Sequence, residues 1–194
     1  MFHTKYDFIA FFDIDEFLVI KNNTVNKWLT QYIDYDAVGI NWKYFGDAGL
    51  QKVENNDYSI TRFTKSQISL NNHIKTIINT KKTGDSNKLH ICCHCTSKSF
   101  IYDSTISVDG INFIRGYENT KNLDTSENIA YLAHFRCKTF DEWNSKCDRN
   151  GTGIQRDMNE YKPQVRFKHF QEFNMNEIYN VDVKDILIGV VNNK

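Results

Sequence analysis

Five consecutive apolar residues, Phe8-Ile9-Ala10-Phe11-Phe12, run directly into Asp13-Ile14-Asp15-Glu16, and this junction constrains the chain more than any other stretch. A short unbroken apolar run reads as a strand buried on both faces, as in sheets covered by helices. The acidic residues then fall at the strand's C-terminal end, which in open α/β sheets is the edge where ligands bind. Carboxylates at i and i+2 of extended backbone project to one side, so Asp13 and Asp15 can share a ligand. A hard divalent cation, Mg²⁺ or Mn²⁺, takes such oxygen donors and completes its shell with water or phosphate. The same residues also turn a chain or cap a helix, and the pattern alone leaves both readings open.

The rest of the chain alternates between strand and helix signals. Thr24 is placed to cap a helix over Val25 to Ile33, with Trp28, Leu29, Tyr32 and Ile33 on one face. Ala37 to Trp42 reads as a strand, followed by the glycine-bearing loop Tyr44 to Gly49. Ser59 to Phe63, Ile74 to Asn79, Leu89 to Cys95 and Ile129 to Phe135 alternate as strands do, the last carrying His134 near its end. Thr139-Phe140-Asp141-Glu142 matches the capping box of a helix that Gly151 would stop. Weaker helical signals cover Ile154 to Glu160 and Arg166 to Tyr179, with Pro163 as an interruption. The expectation is a single α/β domain over residues 1–194, a mixed sheet with flanking helices.

Composition removes several alternatives. Lys and Arg number 24 and Asp and Glu number 24, so no broad field draws the chain to nucleic acid or an anionic membrane. No apolar run is long enough to span a bilayer, and the start of the chain has no signal-peptide pattern. Five cysteines, three of them crowded at Cys92, Cys93 and Cys95, fit reduced thiols and a cytoplasmic setting better than a disulfide framework. With His90 and His94 they suggest zinc, but zinc ligands come as separated pairs, and buried thiols are the default here.

Four stretches, taken in order, resemble the glycosyltransferase family 2-like and family 92 domains. They are Phe8 to Leu18; Asn41-Trp42-Lys43-Tyr44-Phe45-Gly46-Asp47-Ala48-Gly49; Ile74-Lys75-Thr76-Ile77-Ile78; and His134 to Trp143 with Lys146 and Arg149-Asn150-Gly151. The resemblance implies a GT-A-like fold, a divalent metal (Mn²⁺ or Mg²⁺), a nucleotide-sugar donor, a glycan or polysaccharide acceptor, and inversion at the anomeric carbon. By position it implies that Asp13 contacts the donor's ribose or sugar and that Asp13 and Asp15 hold the metal. His134 becomes the late metal ligand or diphosphate contact, and Lys138, Lys146 and Arg149 surround the diphosphate. A complete domain of this type opens with a βαβ half that holds the base, whereas twelve residues precede Asp13. The expectation is therefore an N-terminally truncated domain, its missing half belonging to a longer protein or a partner chain.

Other residues have a functional and a plainer reading side by side. Trp42, Phe45 and Gly46 suit an acceptor-sugar platform, in which aromatic faces stack and a glycine permits close approach, and they equally suit core packing. An inverting transfer needs a carboxylate base, for which Asp109 is the first candidate and Asp47 the second, though turn aspartates commonly just form turns. His134 is also readable as a buried structural histidine, and Glu142 with Lys146 as a helix pair. Two rival functions remain: a non-catalytic remnant or glycan-binding module, and a haloacid-dehalogenase-like phosphatase with Asp13 as nucleophile. The phosphatase motif wants threonine or valine where Phe17 stands, and no later adjacent acidic pair supplies its magnesium site.

Overall fold

The computed structural model describes residues 5–52, 58–71, 73–82, 105–107, 129–149 and 162–186. In chain order the elements are β1 (Phe8–Ala10), β2 (Glu16–Ile20), α1 (Val25–Leu29), β3 (Ala37–Tyr44), α2 (Ser59–Arg62), β4 (Lys65–Ser66), β5 (Ile74–Asn79), β6 (Thr105–Ser107), β7 (Ala130–His134), α3 (Phe140–Asp148), α4 (Pro163–Phe173) and β8 (Ile178–Tyr179). The mixed α/β character expected from the sequence is present. Two compact units are distinguished, Met1–Lys43 with Ser69–Leu132, and Tyr44–Ile68 with Ala133–Lys194. Among the described residues no helix is long and apolar enough to cross a membrane.

The first unit is built on a sheet of order β1-β5-β3-β7-β2, with β6 pairing in parallel beside Ala37, Val38 and Gly39. Every residue of β3 and β5 is buried, as befits interior strands with both faces covered. The two run antiparallel with Ile40 opposite Lys75 and Asn41 opposite Ile74. Opposed residues share a face, so the Lys75 side chain lies on the same face as Ile40 and, two residues on, Trp42. Asn79 closes the far end, its Nδ2 donating to the carbonyls of Ile33 (2.9 Å) and Tyr35 (3.1 Å). α1 begins as expected, with the Lys27 N–H donating to Thr24 Oγ1 at 3.4 Å. It is shorter than the periodicity suggests: the chain tightens into a 3-10 turn at Thr30–Tyr32, and Ile33 is left 54% exposed.

The strand before the aspartates departs from expectation. β1 is three residues long, only half-buried, and among the described residues sits at the sheet's edge, antiparallel to β5. An edge strand pairs on one side only, and Phe11, beyond it, is 43% exposed. The apolar run is thus divided between a short strand and the segment leading to β2, an element the acidic residues at its start had concealed.

The second unit packs α3 and α4 around Cys137, Trp143 and Phe170, with Phe140, Cys147 and Phe173 against them. The capping box of α3 is complete, Thr139 and Glu142 each accepting the other's backbone N–H. Ser59 to Phe63 is not a strand: the Tyr58 carbonyl accepts from the N–H groups of Thr61 and Arg62 and from the Thr61 hydroxyl, winding the segment into α2. Local hydroxyl bonding outweighs β-branched alternation there. Pro163 starts α4 rather than interrupting a helix, since proline's missing N–H is no loss in the first turn. The helix ends by Asn174, and Ile178–Tyr179 instead pairs antiparallel with Lys65–Ser66. Leu89 to Cys95, Gly151 and Ile154 to Glu160 lie outside the described residues.

Candidate active site

Asp13, Ile14 and Asp15 occupy a tight turn between β1 and β2. The Glu16 N–H donates to the Asp13 carbonyl at 3.0 Å, and the Asp13 N–H donates back to Glu16 Oε2 at 2.8 Å. Ile14 stands 97% exposed at the tip, while Asp15 is 8% exposed. The Lys75 side chain, 1% exposed, brings Nζ to 2.9 Å from Asp13 Oδ2 and 3.5 Å from Glu16 Oε2. Trp42 packs alongside, with Lys75 Nζ 5.9 Å from its ring centre and the His73 imidazole stacked on it at 5.1 Å. Burial pushes the Glu16 carboxyl up to about 6, against the pull of the Asp13 N–H and the Lys75 ammonium. Its Oε1 is buried and has no hydrogen-bond partner among the described residues.

In the second unit a cleft of about 360 Å³ is lined by Arg136, Lys138, Lys146 and Arg149 together with Cys137, Ser145, Asp141 and Glu142. The four cations outnumber the two carboxylates, and Glu142 is already matched by Arg62 outside the lining, at 2.9 Å. Burial alone would raise Glu142, but the Arg62 guanidinium and the Thr139 N–H and hydroxyl hold it below its ordinary 4.5. Lys138 adopts φ +57, a left-handed conformation that costs a side-chain-bearing residue of order 1 kcal/mol. Such outliers gather at ligand sites. Cys137 is no nucleophile, because burial drives its thiol up to about 12 despite the neighbouring Arg136 and Lys146.

His134, also in the second unit, is 4% exposed, and its ring lies 5.4 Å from that of Tyr44. Phe45 is 1% exposed and packs on Phe135 at 4.7 Å, which places its ring inside the core. Gly46 is required by close approach: an added Cβ would collide with Asn176 Oδ1 and lie 2.6 Å from the Met175 carbonyl. Asp47 is a hub. Its Oδ1 accepts from the Gly49 N–H (2.8 Å) and Asn176 Nδ2 (2.9 Å), and its Oδ2 from Asn174 Nδ2 (2.9 Å). Asp109 and the Cys92 to Cys95 cluster lie outside the described residues.

The motif's residues fit a hard divalent cation by donor chemistry. Among the described residues no three His, Cys, Asp or Glu side chains gather as a cage. A cation of the Mg²⁺ type does not require one, since it is held by one or two carboxylates with substrate phosphates and water. Asp13 and Asp15 would be the carboxylates available to it in this turn, where Lys75 Nζ contacts one Asp13 oxygen.

Lys75, Glu16, Arg62, Asn174 and Asn176 are the site and loop residues that sequence reasoning missed. One signal was available: a lysine inside the apolar run Ile74-Lys75-Thr76-Ile77-Ile78 requires a carboxylate partner if that strand is buried. A comparison with protein families matches the model described as glycosyltransferase family 92 over residues 1–181. No curated protein matches the chain.

Proposed function

The chain belongs to glycosyltransferase family 92, and on that premise we propose that it moves a sugar from a nucleotide-diphosphate donor to a glycan or polysaccharide acceptor with the help of a divalent cation at Asp13 and Asp15. That it is a glycosyltransferase domain follows from the family match, which covers nearly the whole chain. The observation that carries the finer reading is the turn itself. Two aspartates are fixed between β1 and β2, one anchored by a buried ammonium, beside an aromatic ring.

When bound, a Mn²⁺ or Mg²⁺ ion would neutralise charge growing on the departing diphosphate. Asp15 would supply a ligand oxygen to it, and Asp13 would accept a hydrogen bond from a ribose or sugar hydroxyl. The second unit's cleft, with Arg136, Lys138, Lys146 and Arg149, suits a phosphate-bearing ligand in its own right. Inversion needs one carboxylate to take the acceptor hydroxyl's proton, and Asp109, outside the described residues, is the first candidate from the sequence. Asp47 is the weaker choice, since both its oxygens accept N–H groups that close the loop.

The test is turnover. With a panel of nucleotide sugars, Mn²⁺-dependent release of nucleoside diphosphate should appear for the unmodified chain and fall at least a hundredfold in Asp15→Ala. Equal rates in the two proteins, or rates unaffected by chelator, would overturn the reading.

A further inference from the structure

Lys75 is the buried cation at the motif, and its burial needs an explanation. An ammonium with its side chain 1% exposed is tolerated only when paired. Glu16, whose side chain is fully buried, would satisfy that need alone, yet Nζ lies closer to Asp13, at 2.9 Å against 3.5 Å. Asp13 is 64% exposed, and an exposed aspartate normally samples several rotamers. Here one oxygen is held by a lysine of β5, a buried interior strand of the sheet. Glu16 adds a second hold, accepting the Asp13 N–H, so Lys75 grips both ends of the turn.

We propose that Lys75 is a positioning residue that fixes the Asp13 carboxylate for the donor, acting through Asp13 and not on the substrate. This rests on the proposed function, whose Asp13 contact it deepens. A packing role alone would be served by any partner for Glu16. A positioning role requires the contact with Asp13.

A double-mutant cycle separates the two. Affinity for nucleoside diphosphates (UDP, GDP, CDP and ADP) and their sugars is measured with Mn²⁺ for the unmodified chain, Lys75→Met, Asp13→Asn and the double variant. Glu16→Gln is included in every member of a parallel cycle, so that no buried carboxylate is left without its cation if Lys75→Met fails to fold. Lys75→Met should weaken nucleotide-sugar binding at least tenfold, and Asp13→Asn should add less than a further threefold on top of it. Additive losses, or a folded Lys75→Met that binds as the unmodified chain does, would overturn the positioning role while leaving the transferase reading intact. Absence of binding by the unmodified chain to any nucleotide sugar would instead strike the proposed function, and this inference with it.

Discussion

Arg62 and Glu142 are joined by two parallel contacts, Nη2 to Oε1 at 2.9 Å and Nη1 to Oε2 at 3.3 Å, so that α2 is pinned to the first turn of α3. The same Glu142 completes the capping box with Thr139, which gives one carboxylate two structural duties. Removing it in Glu142→Ala loses a cap and leaves a largely buried guanidinium unpaired, a cost of about 2–3 kcal/mol by chemical denaturation.

The pair also has a pH signature. The folded protein holds Glu142 below 4.5, so its contribution is fully present at neutral pH and is lost as pH falls below 4.5 through the depressed folded value. Stability curves of the unmodified chain and Glu142→Gln should therefore differ above pH 5 and converge in acid. A gap that persists unchanged to low pH would contradict the assignment.

Gly46 is fixed by its neighbours, not by flexibility. In Gly46→Ala the new methyl meets Asn176 Oδ1 and the Met175 carbonyl, and the loop closed by Asp47 must open. The expected loss is about 1–3 kcal/mol. Adding Asn176→Ala should not restore stability, because the backbone carbonyl remains.

Lys138 tests whether strain is kept for function. Lys138→Gly relieves the left-handed φ and should raise stability by about 1 kcal/mol, while inorganic pyrophosphate binding to the basic cleft weakens severalfold. A gain in stability with unchanged binding would remove Lys138 from the cleft's chemistry.

Cys137 should resist alkylation in the native protein. Its thiol is buried, points at the Phe170 carbonyl and stays protonated at pH 8. Mass spectrometry after iodoacetamide treatment should find it unmodified until the protein is unfolded.

The parts legible in the sequence are those set by local chemistry. The Thr139–Glu142 box and the Thr24 cap declare themselves because one hydroxyl and one N–H three residues apart suffice. β5 and β7 follow from alternation that pairing did not contradict. What stayed hidden depends on partners distant in the chain. β1 has the composition of a central strand, but an edge position is decided by pairing, which composition does not encode. Lys75 and Asp13 are 62 positions apart, and Arg62 and Glu142 are 80 apart, so neither contact has a local signal. Asp47 showed its turn-forming character, while its partners Asn174 and Asn176 were invisible among many asparagines.

A divalent cation bound with its donor at the Asp13–Asp15 turn is the core of the proposed function. Its most direct measurement is crystallographic: crystals grown with Mn²⁺ and a nucleoside diphosphate, with diffraction recorded near the manganese absorption edge. An anomalous peak is expected within about 2.6 Å of an Asp15 carboxylate oxygen, its remaining ligands drawn from phosphate and water. A manganese peak bound elsewhere on the chain, with the Asp15 carboxylate out of ligating reach, would contradict it.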